Sequence, residues 1–223
     1  MLMKKTLIKV CGITDINDMK YASNIEDIDY LGIIFAKESP RCVDLNLAEK
    51  LINACDKTKN IVAVFMNQSK DDIEDVIKNL DFNILQFHGH ESVDFCNFFK
   101  KPFIKTFHIE NQKLNIDINF IKYAHAFLLD TSSGNSYGGT GKTFDWEILN
   151  ENKFCNDTDL SLPYLTAGGL NPSNIKDLIS KYGPPGVDVS SGIESSVGKK
   201  DHLLMKKFIE NVRISELENY EKD

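Results

Sequence analysis

Cys11 and Asp130 are the residues of this chain best suited to moving protons. A cysteine becomes a base once its pKa of about 8.5 is lowered, and a carboxylic acid donates a proton once burial raises its own. Each follows a short apolar stretch, so a fold that gathers the ends of such stretches brings the two to opposite sides of one ligand. Plainer readings stand beside this one. Cys11 could be a small buried hydrophobe. Asp130 could cap the turn that follows it, although an acid after Phe127-Leu128-Leu129 is costly to desolvate without a role or a partner.

Glycines and hydroxyls form a second group. Ala167-Gly168-Gly169-Leu170 and Ser190-Ser191-Gly192 each follow an apolar run. Glycines let backbone N–H groups approach an anion and hydroxyls add donors, so together the two loops read as a phosphate cradle. Either loop alone could be a tight turn. A third loop, Gly138-Gly139-Thr140-Gly141-Lys142-Thr143, looks like a nucleotide-binding P-loop but fails its spacing, because Ser136 stands where the first glycine is needed. A glycine-rich lid over a substrate fits Gly138, Gly139, Thr140 and Gly141 better; a long solvated loop is the other reading.

His88 and His90 have a spacing seen in metal sites, but no ligand-spaced cluster of Asp, Glu or Cys lies near them in sequence. No metal is expected. His88 reads as a polar substrate contact or as a histidine bonded to neighbouring backbone. Arg41, after Pro40, could clamp a carboxylate with its planar fork or be a surface arginine. Trp146, the only tryptophan, is expected to pack a helix against the core.

These residues need a scaffold, and the composition limits which kind. The 223 residues are 42% hydrophobic and 26% charged, too apolar for disorder. No run approaches the length of a membrane span. A net charge of −7 speaks against nucleic acid or an acidic membrane as partner. The five cysteines are odd in number and never spaced as Cys-x-x-Cys, which points to a reducing cytoplasm rather than a disulfide framework. The N-terminus has too short an apolar stretch for a signal peptide.

Short β-branched or aromatic runs alternate with helix-period segments along the whole chain. Strands are expected at 6–10, 30–35, 61–65, 84–87, 103–107, 126–129, 164–167 and 187–189. Clear helices follow Asp44, Ser69 (with Asp72 as a capping partner) and Asn171-Pro172, which supplies a cap and a first-turn proline. A poorer helix is expected over 111–123, and 147–162 is ambiguous. Repeating units of about 28 residues, with no linker or composition shift, favour a single-domain closed (β/α)8 TIM barrel over 1–213, with 214–223 as a polar tail or helix extension. In such a barrel the C-terminal strand ends converge, where Cys11, Arg41, Asn67, His88, Lys105 to His108, Asp130 and both glycine loops would meet.

The motifs carrying these residues resemble the phosphoribosylanthranilate isomerase family of tryptophan biosynthesis over nearly the whole chain. They are Lys9-Val10-Cys11-Gly12-Ile13-Thr14, Leu85-Gln86-Phe87-His88-Gly89-His90-Glu91, Leu128-Leu129-Asp130-Thr131, the stretch from Gly138 to Trp146, Ala167-Gly168-Gly169-Leu170-Asn171-Pro172, and Val187-Asp188-Val189-Ser190-Ser191-Gly192-Ile193-Glu194. The resemblance implies Cys11 as general base, Asp130 as general acid and Arg41 on the anthranilate carboxylate. It puts the phosphate on Gly168, Gly169, Ser191 and Gly192. The implied reaction is an Amadori rearrangement of N-(5-phosphoribosyl)anthranilate, without metal or cofactor, by a monomer or homodimer. Phe87 and Val197 depart from the usual leucine and proline, and 151–162 matches nothing placed. Another phosphosugar barrel, such as an epimerase or an aldose–ketose isomerase of histidine biosynthesis, would be expected to carry carboxylates at the ends of both strands one and six, whereas here strand one ends in Cys11. A silent phosphosugar-binding barrel would need neither Cys11 nor Asp130.

Overall fold

Runs that are apolar on both faces have no side to offer to water, and they pair in parallel beneath a layer of helices. The computed structural model describes residues 5–131, 143, 145–150 and 162–220. Its strands are β1 (Leu7–Val10), β2 (Tyr30–Ile34), β3 (Asn60–Phe65), β4 (Ile84–Phe87), β5 (Phe103–Glu110), a short β6 (Lys113–Leu114), β7 (Ala126–Thr131), β8 (Tyr164–Thr166), β9 (Gly186–Val189), β10 (Glu194–Ser196) and β11 (Lys199–Lys200). Its helices are α1 (Ile16–Ser23), α2 (Leu45–Ala54), α3 (Lys70–Asn79), α4 (Val93–Phe98), α5 (Glu147–Asn150), α6 (Ile175–Tyr182) and α7 (His202–Tyr220). β1 to β5 and β7 to β9 pair in parallel in that order; β9 returns to β1 and closes the ring. This is the single-domain (β/α)8 barrel that the alternation predicts. No described helix is long and apolar enough to cross a membrane.

Strand periodicity of two sorts the side chains. Ile8, Val10, Ala63, Phe65, Leu85 and Leu129 face outward and join the helices in the main core. Val62, Val64, Ile84, Ile104, Leu128 and Leu165 fill the barrel interior. The α3 cap is as expected: Ser69 Oγ accepts from the Asp72 N–H at 3.1 Å, and its hydroxyl donates to Asp72 Oδ2 at 2.7 Å. Trp146 is half-buried against the core and meets Tyr182 edge-on, with centroids 6.4 Å apart.

Two expectations need correction. Residues 111–123 form no α-helix. Asn111 and Gln112 turn in left-handed conformations (φ 49° and 58°), β6 runs back along β5, and a single 3-10 turn at Ile118–Phe120 seats Phe120 against Phe103 and Phe107. Asparagine tolerates positive φ better than most residues, which makes this hairpin accessible. Asn171-Pro172 does not start α6, whose N-cap is Asn174. Both asparagines instead donate to the Gly169 carbonyl, at 3.2 and 2.9 Å, and shape the loop before the helix. Of the two alternatives for the stretch after 213, the helix extension is the one seen: α7 runs on to Tyr220, with Ser215 buried and Glu216 accepting from the Thr6 N–H. Residues 151–161 lie outside the described residues, so the ambiguous stretch is described only at α5 and at Leu162.

Candidate active site

One pocket opens at the C-terminal ends of the strands. Cys11 enters it from the end of β1, Arg41 from the loop after β2, His88 from just beyond β4 and Asp130 from β7. Gly168, Gly169 and Ser191 line its far side, so these expected residues share one cavity. Gly192 sits behind that wall: a Cβ there would lie 1.8 Å from the Leu170 carbonyl oxygen. Gly138, Gly139, Thr140 and Gly141 lie outside the described residues. Asn67 and Lys105 do not line the pocket. The Asn67 side chain accepts from the His90 N–H at 2.7 Å, and Lys105 reaches Glu91 at 2.9 Å and the Gly89 carbonyl at 2.6 Å.

At the Cys11 end the barrel interior turns polar. Gly32 makes room for the thiol, since a Cβ there would meet Sγ at 2.7 Å. Burial pushes the Cys11 thiol above its ordinary value, and the Lys9 ammonium pulls it back part of the way. Lys9 Nζ donates to Asp188 Oδ1 at 3.0 Å. Burial acts to lower the Lys9 pKa, but the Asp188 and Cys11 charges outweigh it and leave it raised. The sequence reading did not single out Lys9 or Asp188. The available signal was a charge in the middle of an otherwise apolar run.

At the other end, Asp130 Oδ2 lies 3.3 Å from His88 Nε2. The Gln86 amide and the Thr106 hydroxyl each lie 3.1 Å from His88 Nδ1. An amide nitrogen can only donate, so Nδ1 is the acceptor of the Gln86 contact and Nε2 is the ring nitrogen that faces Asp130. Oε1 of buried Gln86 has no hydrogen-bond partner among the described residues. His108 donates to the His88 carbonyl at 2.9 Å; burial, reinforced by His88, holds its pKa below the ordinary histidine value. Ligand atoms of His88, His108 and Asp130 lie within 4.8 Å of one another. Hydrogen bonds already engage both histidines, and Asp130 lies within ion-pair distance of His88.

Arg41 is buried, and its fork is occupied. Nε and Nη2 each donate to Glu194 at 2.7 Å, so the bidentate carboxylate partner here is internal. Lys200 donates to the same Glu194 at 2.8 Å and to the Ser190 carbonyl at 3.0 Å. Burial would raise the Glu194 pKa, but Arg41 and Lys200 hold it below the ordinary value. Gly12 permits this packing: it has φ 72°, and a Cβ would lie 2.6 Å from Arg41 Cδ. Gly168 and Gly169 both take left-handed conformations, at φ 86° and 64°. A Cβ on Gly168 would meet Thr131 Oγ1 at 2.5 Å, so a glycine is what lets this loop pack against the end of β7.

Residues 8–211 match the family model described as N-(5'phosphoribosyl)anthranilate (PRA) isomerase. The N-(5'-phosphoribosyl)anthranilate isomerase of Legionella pneumophila strain Paris is 43% identical over 206 residues, covering 92% of this chain and 96% of the relative. A structure of phosphoribosyl anthranilate isomerase in complex with reduced 1-(o-carboxyphenylamino)-1-deoxyribulose 5-phosphate superposes with a TM-score of 0.75 at 29% identity, over 93% of this chain and 98% of that one. Mutually generated monomers of the dimeric Thermotoga maritima isomerase give a TM-score of 0.76 at 30% identity, with the same coverage.

Proposed function

The chain belongs to the phosphoribosylanthranilate isomerase family, and from that premise we propose how its pocket carries out the family's reaction. The enzyme isomerises N-(5'-phosphoribosyl)anthranilate to 1-(2-carboxyphenylamino)-1-deoxyribulose 5-phosphate in tryptophan biosynthesis. In our reading Asp130 protonates the ribose ring oxygen while the anilino nitrogen lone pair opens the ring to a Schiff base. The Cys11 thiolate then removes the C2′ proton, giving an enolamine that becomes the ketone by gaining a proton at C1′ and losing one from O2′. One proton leaves Asp130 and one arrives at Cys11, so exchange with solvent resets the pair and the net reaction is an isomerisation.

The observation that carries this reading is that Cys11 and Asp130, 119 residues apart in sequence (130 − 11), line one pocket from separate strands. Gly168, Gly169, Ser191 and Gly192 are proposed to hold the phosphate. Arg41, fixed by Glu194, is proposed to offer Nη1 to the anthranilate carboxylate. His88 is proposed to contact substrate beside Asp130 and to keep that carboxyl oriented. Gly138, Gly139, Thr140 and Gly141 are proposed as a lid. No cofactor or metal enters the scheme. We place the enzyme in the cytoplasm, as a monomer or homodimer; the widely spaced cysteines and the dimeric relative support that reading.

The test follows loss of substrate fluorescence with freshly generated phosphoribosylanthranilate. Cys11→Ala and Asp130→Asn are each expected to lower kcat by about 10²–10⁴, the range of general acid–base catalysis. Near-normal turnover in either variant would remove that residue from its role.

A further inference from the structure

A lysine inside a barrel is costly. Lys9 is fully buried in β1, two positions before Cys11 and therefore on the same inward face. Other inward positions are filled by apolar residues such as Val62 on β3 and Leu128 on β7. An unpaired ammonium at such a site would carry a heavy desolvation penalty. Asp188 meets that cost in part: it is the register partner of Lys9 on β9, with Oδ1 at 3.0 Å from Nζ. Lys9 and Cys11 are both buried along this inward face of β1, and the charge of each acts on the other. Packing alone would be served as well by a methionine facing an asparagine, without burying a charge.

We infer that Lys9 is a positioning residue for the proposed base: its ammonium, oriented by Asp188, is the counter-charge against which Cys11 forms a thiolate. This rests on the reading of Cys11 as the base. Charged groups act on Cys11 from every side of the pocket, namely Lys9 on β1, Asp188 on β9, Lys200 on β11 and Arg41 after β2. Arg41 and Lys200 are both engaged by Glu194. The charge of Lys9 acts on Cys11 more strongly than that of Lys200, and it opposes both burial and the Asp188 carboxylate. Asp188 therefore works in two directions, holding the lysine in place and disfavouring a second negative charge beside it.

The two substitutions should consequently shift Cys11 in opposite senses. The experiment measures iodoacetamide alkylation of Cys11 against pH in the full-length protein, with peptide mapping to separate it from Cys42 and Cys155. Burial pushes Cys96 up to about 12 and Cys55 up to about 11, so neither competes near neutral pH. Lys9→Met is expected to slow Cys11 alkylation about tenfold or more at a fixed pH below the thiol pKa, one pK unit being a factor of ten in thiolate. Lys9→Arg should restore much of it, and Asp188→Asn should speed it. The acid limb of kcat/KM should move in the same directions.

An unchanged alkylation profile in Lys9→Met would overturn the proposal. If that variant fails to fold by circular dichroism, Asp188→Asn carries the test, and unchanged or slower alkylation there overturns it equally. Cys11→Ser separates the two readings. Full activity in that variant would sink the base assignment while leaving the alkylation shifts intact.

Discussion

Arg41 is held in readiness by its own chain. Glu194 fixes two of its nitrogens and Gly12 leaves room for its stem, so the guanidinium needs little ordering when a ligand binds. A residue that binds ground state and transition state alike changes KM and leaves kcat. Arg41→Ala should therefore raise KM by about 10–100-fold, the roughly 1.5–3 kcal/mol of a charged hydrogen bond. Lysine should rescue poorly because it lacks the planar fork. An unchanged KM in steady-state kinetics would remove Arg41 from the substrate. At this scale the sequence displays residue types that can do chemistry, but the partner of Arg41 lies 153 positions away and no local pattern reveals it.

The loops after β8 and β9 work as one element because they interpenetrate. Gly192 lies so close to the Leu170 carbonyl that alanine forces the backbones apart. Overpacking of this kind costs about 1–3 kcal/mol, or a fall in Tm of roughly 2–12 °C at about 2–4 °C per kcal/mol for a chain of this size. Gly192→Ala should also raise KM at least about tenfold, because the proposed phosphate donors move with the loops. A lowered Tm with normal KM would dissociate these loops from phosphate binding. Elements were legible where local signals agree, as in the capped α3 with its apolar stripe. They misled where a side chain had a better partner elsewhere. Asn171 and Asn174 serve the Gly169 carbonyl, and the 111–123 segment follows the demand of Phe120 for an aromatic pocket on β5.

Across the whole molecule, charge stitches the first quarter of the chain to the last. Arg41 meets Glu194, Asp15 meets Lys199, and Asp27 meets both Lys5 and Arg213, all about the seam where β9 returns to β1. Lys199 holds Asp15 below the ordinary carboxylate range; burial acts to raise Asp27, but Lys5 and Arg213 lower it. Glu194 is likewise depressed against its burial. A carboxyl with a depressed folded pKa adds stability above its unfolded value of about 4, and that stability is lost as pH falls through the folded value. Tm by circular dichroism should stay level from pH 7 to about 5 and fall below about 4. Glu194→Gln should flatten part of that fall, and a Tm independent of pH down to 3 would contradict this account of the seam.

The order and period of apolar runs determined the barrel, because a strand buried on both faces has few other places to go, and closure sends every strand end to one rim. Hence Cys11, Arg41, His88, Asp130 and the glycine loops could be gathered before any coordinates. Only the tertiary structure decided what surrounds them. Asp188 on Lys9, His88 beside Asp130 and Glu194 across Arg41 are pairings between distant strands and loops. Their energies depend on burial and on separations of about 3 Å, quantities that spacing along a chain does not encode.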